Sequence, residues 1–388
     1  MLSRRTLLAA ASALVAARVA QAADPGITGD RVLFGQAAAL EGPAAQLGLG
    51  MRDGIQAAFA EANRAGGVRG RRLELVSRDD GYEPTRSIEA TRHLIEADRV
   101  FALVGPIGTP TSQAAQPVAQ QAGVPFIGPF TGAEFLRDTA LANVVNLRAS
   151  YFQETEEMVE RLTKDLGASR IAILYQDDAF GRAGLAGVTR ALEKRGMQLA
   201  AEGTYERNTV AVRNAVLAIQ RGRPDAVIMI GAYRPCAEFI KVARQIRMQA
   251  TFVNISFVGS DALARELGPA GNGVVITQVV PFPRDASVPV VARYQAALRA
   301  QDANAEPGFV SLEGYLVGRL AIAALEKIEG EPGRAAFLRT MLGGSFDLDG
   351  FRLGFGPQDN QGSDAVFLTV IQPDGSFRAV SRLTAAAG

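Results

Sequence analysis

The 388 residues carry 41 lysines and arginines against 40 acidic residues, one histidine and one cysteine, and 48% are hydrophobic. Near-neutral charge argues against nucleic acid or an anionic membrane as the main partner. The lone Cys236 rules out an internal disulfide, and no His/Cys cluster is present for zinc or another metal.

The chain opens with "MLSRRTLLAAASALVAARVAQAAD". A twin arginine precedes an apolar run from Leu7 to Ala17, and "AQA" (Ala20 to Ala22) offers small residues for cleavage. Arg18 closes the run short of the roughly 20 residues that a spanning helix needs. Residues 1–22 are expected to be an export signal of the twin-arginine type. Losing Arg4, Arg5 and Arg18 takes the 41 basic residues to 38 against 40 acidic, a net charge of −2. Cys236 is too far along to be a lipid-attachment site, so the mature protein is expected to be a soluble periplasmic protein and not a lipoprotein.

Strand patterns then follow in order: "RVLFGQAAA", "RRLELVS", "VFALVGP", "PFIGP", "VVNLR", "RIAILYQ", "LAAEGTY", "DAVIMIG", "TFVNIS" and "GVVITQVV". Amphipathic helical stretches separate them, among them "GMRDGIQAAFAEANRAGG", "PTRSIEATRHLIEADR" and "ETEEMVERLTKDLG". Several end in glycine, as helix C-termini prefer. Such alternation predicts parallel sheets covered on both faces. A faint echo between "RVLFGQ" and "RIAILYQ", each leading through a glycine-bearing loop into a helix, predicts two similar α/β lobes joined near Arg148 and Ala149.

In open parallel sheets, ligands bind beyond the carboxyl ends of the strands. In the first lobe those ends are 40–43, 79–82, 105–109 and 128–132. In the second they are 176–180, 231–233, 254–256 and 277–280. They hold hydroxyls, aromatics and glycines but no nucleophile–base pair. At "VGPIGTPTSQ", Thr109 suits a helix N-cap and Pro110 the first helical position, a start that also favours a small anion.

Catalytic readings find little support. His93 sits among Glu89 and Glu96 on a helix whose buried face is marked by Ile88 and Ile95, and reads as solvated. A P-loop, a full dinucleotide fingerprint and a G-x-S-x-G elbow are all missing from the sequence. Asp79, Asp80, Asp177 and Asp178 lie at strand ends, where such pairs serve as caps or hydrogen-bond acceptors; a hydrolase using cleft carboxylates is the rival from another class.

The segments "LEGPAAQLGLGMRDGIQAAFAEANRAGGVRGRRLELVSRDDGYEPTRSIEATRHLI" and "VFALVGPIGTPTSQAAQPVAQQAGVPFIGPFTG" resemble periplasmic solute-binding proteins of the leucine/isoleucine/valine-binding type, the extracytoplasmic receptors of ABC importers. The likeness covers nearly the whole mature chain. It implies an α/β fold of two doubly wound parallel-sheet lobes joined by three hinge crossovers, with ligand trapped as the lobes close. The lobes are expected at 24–148 plus 278–350 and at 149–277 plus 351–388. Thr109 falls where the family holds a ligand carboxylate by a hydroxyl. Phe130, Thr131 and Gly132 match the next loop, with Gly132 where a threonine is expected. Phe180 and Tyr233 match aromatic positions that also suit core packing. Ser256 replaces the acidic residue that neutralises an α-ammonium, so either another carboxylate substitutes, Glu41 being the candidate, or the ligand has no ammonium. Leu47 stands where an aromatic is common. Gln278 is expected to add a hydrogen bond, and Glu41 and Tyr82 to form the rim. The expected function is capture of a small amphipathic solute, branched-chain amino acid-like and bearing a carboxylate or amide, by a cofactor-free monomer. Its partner would be a membrane permease or, alternatively, a signalling receptor.

Overall fold

The computed structural model describes residues 24–384; the expected export signal lies outside the described residues. The first lobe is built from β1 (Arg31–Ala38), α1 (Ala45–Arg64), β2 (Arg72–Asp79), α2 (Pro84–Glu96), β3 (Ala102–Val104), α3 (Thr109–Gln121), β4 (Phe126–Ile127) and β5 (Val144–Val145). Its five strands run parallel in the order β2-β1-β3-β4-β5. The buried face of α2 is Ser87, Ala90, Thr91 and Leu94, so Ile88 and Ile95 only flank it, and His93 is exposed as expected.

The second lobe continues with α4 (Tyr151–Leu166), β6 (Ile171–Gln176), α5 (Ala179–Glu193), β7 (Glu202–Tyr205), α6 (Arg213–Arg221), β8 (Ala226–Ile230), α7 (Tyr233–Gln245), β9 (Thr251–Asn254), α8 (Ser260–Leu267) and β10 (Val275–Gln278). After α9 (Pro289–Arg299), α10 (Phe309–Lys327) and α11 (Arg334–Leu342) come a ribbon, β11 (Ser345–Leu348) with β12 (Phe351–Gly354), and then β13 (Phe367–Ile371) and β14 (Phe377–Val380). The second sheet has the order β14-β13-β10-β9-β8-β6-β7. It is mixed rather than purely parallel, because β13 and β14 return antiparallel at its edge. Residues of β8 are buried throughout, as a strand covered on both faces requires.

The chain passes between the lobes after β5, after β10 and between β12 and β13. The first and third passages run side by side: Asn146 N–H donates to the Asn360 carbonyl at 2.8 Å and Gly362 N–H to the Asn146 carbonyl at 2.9 Å. The second passage begins after Gln278, which pairs with Phe367 in the second sheet, one residue later than expected. β12, expected in the second lobe, pairs with β11 instead. Helix α10 packs on α1 so closely that a Cβ on Gly54 would collide with the Ser311 carbonyl, and one on Gly314 with that of Met51. This contact ties the returning helices to the first lobe.

Candidate ligand-binding cleft

The strand ends of the two sheets face each other. At α3 the cap is Gly108, with φ of 96°, and a side chain there would strike the Tyr82 ring. Thr109 is the first helical residue and makes no capping bond, which corrects the expectation that it caps the helix. Its hydroxyl lies 2.7 Å from that of Thr131, which in turn lies 3.3 Å from the Tyr151 hydroxyl. One turn along, the buried Ser112 hydroxyl has no partner. Burial raises the Tyr151 phenol above its ordinary pKa, with Arg148 acting in the opposite direction.

Tyr151 opens α4 because Ser150 and Gln153 form a reciprocal capping box. Gly132 makes room for it: a Cβ at 132 would stand 2.5 Å from the Tyr151 ring, and the Gly132 carbonyl accepts the Tyr151 N–H at 2.7 Å. The hydroxyl absent from position 132 is thus answered by a neighbouring phenol. Phe257 lies at the centre of the aromatic floor, its ring centroid 4.5 Å from Phe180, 5.4 Å from Phe130 and 5.9 Å from Tyr82. Phe180 is fixed at the start of α5 by Asp178, whose carboxylate accepts the Phe180 N–H at 2.9 Å.

Behind Ser256 lies a buried ionic cluster. Glu154 accepts from Ser256 N–H at 3.0 Å, Ser256 Oγ at 2.9 Å, Thr277 Oγ1 at 2.5 Å and Arg148 Nη2 at 3.2 Å. Arg148 also donates to Ser256 Oγ, and its guanidinium lies 5.0 Å from the Phe130 ring centroid. Glu313, reaching in from α10, stands 3.6 Å from Arg148 Nη1. Burial pushes the Glu313 carboxyl up to about 7, against the pull of Arg148.

Four bonds join the lobes on this side, three at the rim and one, at Tyr82, buried, which corrects the expectation that Tyr82 is a rim residue. Arg207 donates to Glu83 at 2.8 Å, Asn208 donates to Glu83 at 2.6 Å and to the Gly81 carbonyl at 3.0 Å, and Gln176 donates to the Tyr82 hydroxyl at 3.2 Å. On the other side, Tyr233 OH accepts from Gln46 N–H at 3.5 Å beside a groove of about 440 Å³ lined by Gly42 and Gln46 from one lobe and Tyr233 and Arg265 from the other. Leu47 fits against Gly259 of the second lobe.

The structure therefore brings together Thr109, Phe130, Thr131, Gly132, Phe180, Tyr82 and Ser256, and places Tyr233 at the groove. Two expected residues stand apart. Gln278 gives its amide to Ser260 and Thr369 inside the second lobe, at 2.8 and 2.9 Å. Glu41 is exposed beside Gly42, and the carboxylate next to Ser256 is that of Glu154. Asp79 ties down the β1–α1 loop and Asp178 caps α5 while pairing with Arg207, so these strand-end carboxylates are spent on structure. Sequence reasoning missed Arg148, Tyr151, Glu154, Phe257 and Glu313. Glu154 did leave a signal, since it shares a four-residue spacing with the buried Met158 and Leu162.

Two α/β lobes closing strand ends, hydroxyls and aromatic rings around one cleft define a hinged binding protein. The chain belongs to the periplasmic binding protein family, whose model matches residues 31–376, and the family is one of binding proteins rather than catalysts. It is similar to the crystal structure of a possible leucine/isoleucine/valine-binding protein from Rhodopirellula baltica, at 39% identity and a TM-score of 0.87 over 93% of this chain and 98% of that one. A substrate-binding periplasmic protein from Ralstonia solanacearum is 27% identical, with a TM-score of 0.84 over 90% of this chain and all of the other. Leu/Ile/Val-binding protein homolog 7 of Brucella suis is 24% identical over 357 residues, covering 87% of this chain and 88% of that protein. No helix among the described residues is long and apolar enough to cross a membrane.

Proposed function

We propose that this chain is the periplasmic receptor of an ABC importer, a monomer that takes a small amphipathic solute between its lobes and hands it to a membrane permease. Carrying this reading is the hydroxyl cluster of Thr109, Thr131 and Tyr151, whose Tyr151 ring meets Phe180 and through it Phe257. Hydroxyl donors hold a carboxylate or amide oxygen without attacking it, and the rings of Phe130, Phe180 and Phe257 suit an apolar tail. The relatives named for leucine, isoleucine and valine support a solute of branched-chain size. Closure is favoured by contacts that exist only when the lobes meet, among them Arg207–Glu83 and Gln176–Tyr82.

Thermal melting against a panel of amino acids, short amides and carboxylic acids tests this. A solute at about 100 times its Kd stabilises the fold by about 2.7 kcal/mol. Thr109→Val is expected to abolish that stabilisation and leave the melting temperature of the free protein nearly unchanged. Chemical conversion of a bound solute would overturn the receptor reading.

A further inference from the structure

Resting on the cleft reading above, we propose that the solute presents a carboxylate with no α-ammonium beside it, and that Arg148 is its charge partner. Arg148 is fully buried, yet its Nε and Nη1 have no hydrogen-bond partner. Nη1 stands 3.6 Å from Glu313, beyond hydrogen-bond reach. Its guanidinium lies against Phe130, the residue before Thr131, and its Nη2 reaches Ser256. Arg148 thus keeps unspent donors on a cation that adjoins Phe130 and Ser256. Ser112, on the same face of α3 as Thr109, adds an unpartnered hydroxyl.

An α-ammonium needs acceptors, ideally three, with a compensating charge. The one carboxylate beside Ser256 has none to give. Both oxygens of Glu154 are doubly engaged, by Ser256 N–H, Ser256 Oγ, Thr277 Oγ1 and Arg148. Glu313 is held behind Arg148 rather than beside Ser256. A second cation, the half-buried Arg137, bonds to the carbonyls of Thr131 and Arg148 at 3.2 and 3.1 Å.

The test is calorimetric titration of the exported chain with matched pairs: 4-methylpentanoate and 4-methyl-2-oxopentanoate against leucine, and 3-phenylpropanoate against phenylalanine. The acids are expected to bind about tenfold or more tighter than their amino partners. Arg148→Lys keeps the charge but removes the fork, and is expected to weaken the preferred acid by about tenfold or more. An amino acid that binds as tightly as its deaminated partner overturns the proposal and leaves the receptor reading standing. Binding of no member of any pair, with no response to amides, overturns both. Full affinity in Arg148→Lys overturns the role given to Arg148, and if that variant fails to fold the wild-type pairs still decide the ligand class.

Discussion

Glu83 lies on the first lobe, and its carboxylate accepts from Arg207 at 2.8 Å and from Asn208 at 2.6 Å, both on the second. Glu83→Ala removes two bonds that cannot exist in an open form. The Arg207 and Glu83 side chains are 21% and 38% exposed, so water screens the pair. An exposed ion pair is worth up to about 1 kcal/mol, and a hydrogen bond to a charged group adds about as much again once discounted for partial exposure. The closed form should therefore lose about 1–2 kcal/mol, which weakens apparent affinity roughly 5- to 30-fold. Titration calorimetry with whichever panel solute binds measures this, and small-angle scattering reports the larger radius of gyration expected for the ligand-free variant. Added salt should narrow the difference between wild type and variant, because the pair is partly solvated. An affinity within about twofold of wild type would refute the assignment of these contacts to closure. So would a large fall in the melting temperature of the free protein, which would make Glu83 a support of the fold instead.

Two further outcomes follow from the same geometry. Gly132→Ala places a methyl 2.5 Å from the Tyr151 ring, and overpacking of this kind costs about 1–3 kcal/mol. Displacing Tyr151 breaks its bond to Thr131, so ligand affinity should fall about tenfold while the far-ultraviolet circular dichroism stays unchanged. The second concerns pH. Burial raises Asp80 from 3.8 and Glu313 from 4.5 to about 7 in each case. The folded chain then holds protons that the unfolded chain releases, so this contribution is full below about pH 4 and is lost as pH rises through 7. At about 1.4 kcal/mol per tenfold change in proton affinity, Glu313 accounts for on the order of 3 kcal/mol. Melting temperature should fall between about pH 5 and pH 8 and fall less in Glu313→Gln; equal slopes would count against the burial argument.

The parallel strands were legible because burial on both faces writes continuous apolar runs, as in "DAVIMIG" for β8. The four strands β11 to β14 were not singled out. β14, "FRAV", has no residue fully buried, so an edge position leaves little pattern in the sequence. Thr109 drew attention because strand ends are where a doubly wound lobe displays its side chains, whereas Thr131 and Phe180 were named from the family resemblance. Phe257 follows Ser256 directly and escaped notice because its role depends on rings from three other segments.

The ionic cluster failed to show for a different reason. Arg148, Glu154 and Glu313 come from a crossover, α4 and α10, and a buried pair formed across such distances has no local spacing to betray it. Yet each acid was locally anomalous. Glu154 lies on the apolar stripe of α4, while Glu156, Glu157 and Glu160 of the same helix are all less buried. Glu313 sits in "FVSLEGYLVGRLAIAALEK", a helix apolar around most of its circumference. An ionised carboxylate is not left alone in such surroundings, because the uncompensated charge costs several kcal/mol or more. Two acids on buried stripes therefore imply at least one buried cation between their helices. The crossover where the lobes join is the place from which one arginine can reach both, and it is there that Arg148 stands.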